Sequence, residues 1–204
     1  MLFSMQTFIS ETLTTILSKQ KSFEDTVFIL PSQRAGVFLK EEFKRLIPVG
    51  FLPEIINIGT FIEEVTSIKK ADTIQLLFHF YSVYKSIEVH PEEFESFSSW
   101  AITVMQDFNE IDQHLTNQKE IFTYLKDIER LKNWSVKKPL VATQMMKNHF
   151  SFMEKLGEYY EAFYSYLKEK NIGYQGLIYR ESIAKIEAYI QQNTHKRYYF
   201  IGFN

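Results

Sequence analysis

At 204 residues, with 23 basic and 25 acidic side chains, a formal charge of −2 and no cysteine, the chain excludes several classes of protein before any motif is read. Balanced charge gives the whole molecule no attraction for nucleic acid or an anionic membrane, so any such binding has to come from a local patch. Without cysteine there is no disulfide, no thiolate nucleophile and no cysteine-ligated zinc or iron–sulfur centre, a usage that fits the cytoplasm.

The N-terminal MLFSMQTFISETLTTILSK has no basic leader, carries Glu11 inside its apolar pattern and holds no apolar run long enough for a signal or membrane helix. It predicts an amphipathic helix. Thr26 to Leu30 (TVFIL) predicts a strand, broken by Pro31 and followed by a polar elbow, Ser32-Gln33-Arg34-Ala35-Gly36, before apolar residues resume at helical spacing over 35–46. Glu54 to Ile58 (EIINI) predicts a second strand, completing a strand–helix–strand unit with the expected right-handed crossover.

From about Phe61 to Gln192 the pattern is helical. Ile74, Leu77, Phe78, Tyr81 and Tyr84 share a face, and Phe94, Phe97, Ala101, Val104, Phe108, Ile111 and Leu115 recur at steps of three and four. Met146, Phe150, Met153, Leu156, Tyr160, Phe163 and Leu167 do the same, while 131–141, with Trp134 and Pro139, predicts a loop. Asn171-Ile172-Gly173 predicts a helix C-cap before a further helix over 177–192.

Arg197 to Phe203 (RYYFIGF) predicts the last strand. All three strand candidates are almost continuously apolar, which suits strands buried on both faces of a parallel sheet covered by helices. The expectation is an α/β, predominantly helical chain: a sheet domain over 1–62 and 195–204, interrupted by a helical insertion over 63–194. Because the sequence stops where a parallel-sheet domain would continue into a loop and helix, it reads as the N-terminal piece of a longer protein.

Much chemistry can be set aside. A phosphate-binding loop needs the spacing G-x-x-x-x-G-K-[ST], and none of the seven glycines is followed by lysine. The five histidines are scattered without an H-E-x-x-H pair, which argues against a metal site. Asp107, Glu110 and Asp112 could gather a hard cation, but Phe108, Ile111 and Leu115 are expected to take the buried face and leave the carboxylates on a solvated one. Around Trp134, the cations Lys126, Arg130, Lys132, Lys137 and Lys138 suit a nucleic-acid groove, and equally suit a solvated interhelical loop.

The elbow is chemically the most specific stretch. Hydroxyl, amide and guanidinium groups at a helix N-terminus suit a phosphodiester backbone, because exposed amides and the helix dipole favour anions. Ser32 suits a helix cap as well as a DNA contact, two compatible readings, and Arg34 offers either a phosphate contact or a surface ion pair. Phe61 is either a core residue or a ring that stacks on a base.

Taken in order, FILPSQRAGVFLKEEF (28–43), INIGTFIEE (56–64), LLFHFYSVY (76–84), DFNEID (107–112), NIGYQGLIYR (171–180) and YYFIGFN (198–204) resemble the N-terminal region of AddB-type helicase–nuclease proteins. More closely, the chain is similar to the large PD-(D/E)XK nuclease family proteins of Bacteroidetes bacteria, which begin with a degenerate superfamily 1 helicase domain. The resemblance implies a partial RecA-like sheet, with Ser32, Gln33 and Arg34 matching motif Ia and Thr60 and Phe61 matching motif Ib, both facing single-stranded DNA. Lys132, Trp134 and Lys137 are further candidate DNA contacts. It also implies departures: no phosphate loop precedes TVFIL, and Gly202, Phe203 and Asn204 stand where a motor carries its magnesium-binding Asp-Glu pair.

The expectation is therefore a non-catalytic region that binds or guides single-stranded DNA in double-strand break repair and recombination. It would act without cofactor, ATP hydrolysis or membrane, beside an AddA-like helicase–nuclease subunit, with the nuclease residues elsewhere. The alternative is a structural docking module that grips such a subunit and touches no DNA; an independent enzyme lacks a nucleophile–base or metal-ligand constellation.

Overall fold

The computed structural model describes residues 8–20, 22–47, 50, 52–125 and 144–203. They form an α/β chain, mostly helical, that divides into two compact units: Met1–Thr66 with Lys185–Asn204, and Ser67–Ala184.

In the first unit, α1 (Phe8–Lys19) leads to β1 (Thr26–Leu30), α2 (Gln33–Leu46), β2 (Glu54–Asn57) and α3 (Ile58–Thr66). The last strand of the chain, β5 (Arg197–Phe200), completes a three-stranded sheet in the order β2-β1-β5. Both pairings are parallel, with Val27 opposite Glu54 and Tyr198, and Leu30 opposite Asn57. The three predicted strands are thus real and share one sheet.

Their burial differs from the expectation of strands covered on both faces. All five residues of β1 are buried, whereas β2 and β5 are only partly so. The reason is position: β1 lies in the middle, and its neighbours are edges. Because side chains alternate across a strand, Phe28 and Leu30 face one core with Leu13, Ile16, Leu39 and Phe43. Val27 and Ile29 face the other, with Phe61 and Val65. The first core is tied by rings: Phe43 meets Phe28 edge to face at 5.3 Å, and Tyr199 stacks on Phe28 at 5.3 Å.

The second unit is helical. It holds α4 (Thr73–Ile87), α5 (Phe94–Gln113), α6 (118–125), α7 (Gln144–Glu169) and the first part of α8 (Gln175–Gln192), with a two-residue parallel ladder between β3 (Lys69–Lys70) and β4 (Ile172–Gly173). Phe80 centres its core, with ring centroids 4.8 Å from Phe163 and 5.3 Å from Phe97. Asp72 caps α4, its carboxylate accepting from the Gln75 amide at 2.8 Å. At the other end, Glu88 accepts from Lys155 Nζ at 2.7 Å and from the Tyr159 hydroxyl. Burial alone would raise the Glu88 carboxyl, and those two donors outweigh it and hold it below its ordinary value.

The unit boundaries fall after Thr66 and Ala184, not after 62 and 194 as expected. The end of α8 belongs with the sheet because Ile186 and Tyr189 pack on its second core. The break at Asn171 is also richer than a cap. Asn171 adopts φ 53, the left-handed conformation that ends a helix, and the chain then pairs as β4.

Candidate nucleic-acid interface

At the carboxyl end of β1, Ser32 takes an extended conformation (φ −147, ψ 159) and its Oγ accepts from the Ala35 amide at 3.2 Å. This side-chain bond satisfies one of the four orphan amides that open α2, leaving those of Gln33 and Arg34 without an intrahelical acceptor. Ser32, Gln33 and Arg34 are all exposed, and the first turn of α2 contains no acidic residue. Among the described residues Arg34 pairs with no carboxylate; its guanidinium lies 5.8 Å from the ring of exposed Phe38.

The carboxyl end of β2 repeats the device. Asn57 closes the strand, and its Oδ1 accepts from the Thr60 amide at 3.0 Å, so α3 also starts with a side-chain cap. Gly59 lets the cap close, since a Cβ there would stand 3.1 Å from Asn57 Oδ1. α3 has no acidic residue in its first turn either. Leu30 and Asn57 are partners in register, and neighbouring strands lie about 4.8 Å apart. Two helix N-termini, each with unsatisfied amides and the positive end of its dipole, therefore begin side by side.

In open parallel sheets ligands bind outside the carboxyl ends of the strands, the end at which Ser32 and Thr60 stand. The chain departs β1 toward β2 on one side, and β5 flanks β1 on the other. Of the sequence candidates, Ser32, Gln33 and Arg34 stand together at this end and half-buried Thr60 stands beside them. Phe61 does not present a stacking face. It is 6% exposed, packed against Tyr189, Tyr198 and Phe200, and belongs to the second core. Of its two readings the structure holds the core one, because the ring points inward from the first turn of α3. Lys132, Trp134 and Lys137, with Lys126, Arg130 and Lys138, lie outside the described residues.

The acidic helix holds a second correction. Asp112 was expected on a solvated face, yet it is fully buried. It accepts from Arg180 Nε at 2.7 Å, from the Tyr174 hydroxyl at 2.6 Å and from the Tyr160 hydroxyl. Arg180 also donates to the carbonyls of Ile111 at 3.0 Å and Thr116 at 2.7 Å, closing the end of α5. Burial, and then the Asp112 charge, pushes the Tyr174 phenol well above its ordinary range, so it stays a donor. The spacing alone predicts an apolar stripe through Ile111 and Leu115. The buried stripe instead runs Ala101, Val104, Met105, Phe108, Asp112, and Leu115 sits past the helix end at φ 55, half exposed.

Asp107 and Glu110 are neighbours as expected, burial and then Glu110 raising the Asp107 carboxyl. Among the described residues, no group of three or more acids or histidines is arranged to hold a metal ion, and no helix is long and apolar enough to cross a membrane. The Asp112 carboxylate is engaged by Arg180, Tyr174 and Tyr160, and Ser32, Gln33 and Arg34 stand exposed at the carboxyl end of β1. No family model matches this chain, and no curated protein matches it either.

Proposed function

We propose that this chain is a non-catalytic, single-stranded DNA-binding region, the degenerate RecA-like N-terminal part of an AddB-type nuclease that guides a strand during double-strand break repair. The observation that carries the reading is the exposed start of α2 at the carboxyl end of the central strand. It offers the Gln33 and Arg34 amides, the Gln33 side chain and a guanidinium that meets no carboxylate among the described residues, with no acid in the turn to repel a phosphate. The parallel order β2-β1-β5 and the second capped helix start at Thr60 support it. In this reading ATP is not hydrolysed. The sequence lacks the phosphate loop, and Gly202, Phe203 and Asn204 supply no carboxylate for magnesium.

Fluorescence anisotropy of a labelled single-stranded oligonucleotide, compared with its duplex across a salt series, tests the reading. The single strand is expected to bind better, with log K falling as salt rises, and Arg34→Ala is expected to weaken binding about tenfold and flatten that slope. A folded chain that binds no oligonucleotide overturns it.

One observation favours a docking role for the helical unit. Ile74 and Phe78, one turn apart on α4, are 69% and 55% exposed, and Phe94 stacks on Phe78 at 5.0 Å. Such an apolar face suits a protein partner such as an AddA-like helicase–nuclease subunit.

A further inference from the structure

Phe61, of its two readings, is a core residue, and the surface beside it carries two other rings. Phe200 ends β5, is 54% exposed, and places its ring 5.7 Å from that of Phe61, edge to face. Phe203 is 44% exposed, with its ring 6.0 Å from that of Phe200. Between them Gly202 turns the chain at φ +80, a conformation that favours glycine, and a Cβ added there would meet the Pro31 ring at 3.8 Å. Gly202, between the two rings, thus lies against Pro31, which precedes Ser32, and Phe200 meets Phe61, which follows Thr60.

We propose that Phe200 and Phe203 are the base-stacking platform of this interface, with the elbow and the start of α3 taking the backbone. The inference rests on the reading of the elbow as a phosphodiester site and names the ligand more narrowly: a strand with unpaired bases, read by stacking and not by sequence. Complementarity identifies the occupant. A single strand presents a polyanion beside flat apolar faces; the carboxyl ends of the three strands carry Arg34 and two acid-free helix N-termini after β1 and β2, and two exposed rings at the end of β5. A duplex hides its base faces, and an apolar protein segment would have no use for the cation.

The test uses the full chain with an oligodeoxythymidylate of about twelve nucleotides, within the usual site size, and an abasic strand of equal length with the same phosphates and no bases. Wild type is expected to bind the thymidylate about tenfold or more tighter than the abasic strand. Phe203→Leu, which keeps the apolar volume, is expected to erase most of that difference, leave abasic affinity unchanged and leave the salt slope unchanged. Phe200→Leu should behave alike, with circular dichroism matching wild type. Equal binding of both strands by wild type, or unaltered thymidylate binding by both leucine variants, overturns the platform while an Arg34→Ala effect leaves the elbow reading standing. Loss of all oligonucleotide binding overturns both. If the leucine variants change oligomeric state by light scattering without changing affinity, the rings meet protein and the platform is likewise overturned.

Discussion

Ser32 serves two demands that differ in the sign of charge they tolerate. As the cap of α2 it needs only an acceptor for the Ala35 amide, which an aspartate supplies as well as a serine. As part of an anion site it must not bring a carboxylate to the place where a phosphate sits. Ser32→Asp is therefore expected to hold or slightly raise thermal stability, since the helix dipole favours the negative charge, and to lower single-strand affinity about fivefold to tenfold by repulsion. Ser32→Ala reverses the pattern, costing about 1 kcal/mol of stability with little effect on binding. Melting curves and anisotropy on the same samples separate the two, and undiminished DNA binding by Ser32→Asp would place the anion elsewhere. The cap and the exposed Arg34 were legible in the sequence because both depend on residues within one turn. Phe61 against Phe200 was not, because which ring faces in depends on the helix and the edge strand that flank it, far apart in the chain.

At the scale of elements, the apolar stripes gave the helices their existence and approximate limits, because burial imposes a helical period. They did not give the pairing between helices. Asp112 continues the buried stripe of α5, but a carboxylate at an apolar position reads as a surface residue until its cation is known. Its partner Arg180 is 68 residues away, with nothing local to announce it. Since the pair joins α5 to the start of α8, Asp112→Ala leaves an uncompensated guanidinium and takes the acceptor from the Tyr174 phenol, and is expected to cost about 3–5 kcal/mol in urea unfolding. Single-strand affinity, measured on the folded fraction, should not change, because the network lies in the helical unit and the proposed interface in the sheet unit. A variant as stable as wild type would show that the cluster is not what fixes these helices. Gly176 marks the same junction: its amide donates to Asn109 Oδ1 at 2.8 Å, and a Cβ would meet the Asn109 carbonyl oxygen at 2.2 Å, so no side chain fits.

For the molecule as a whole, the balanced composition makes ligand choice a local matter, and the sheet supplies the place where it can be made. Three apolar runs predicted a parallel sheet, but the order β2-β1-β5, with the chain's last strand beside its first, follows from a pairing between Thr26 and Arg197 across the whole helical unit. That order decides which ends converge: the elbow, the start of α3 and the Phe200–Phe203 pair share one edge only because β1 is central. A nucleotide-driven motor would use the same edge for ATP, so the two ligands give opposite expectations in one experiment. Binding stabilises the native state by mass action, so a single-stranded oligonucleotide at about one hundred times its Kd should add about 2.7 kcal/mol and raise Tm by about 5 °C or more. Millimolar ATP with magnesium should leave Tm where it was, there being no loop to hold the phosphates and no carboxylate at Gly202-Phe203-Asn204 to hold the ion. A rise with ATP and none with the oligonucleotide would reverse the assignment of the edge, whereas a rise with the oligonucleotide that disappears in Arg34→Ala would fix it at the elbow.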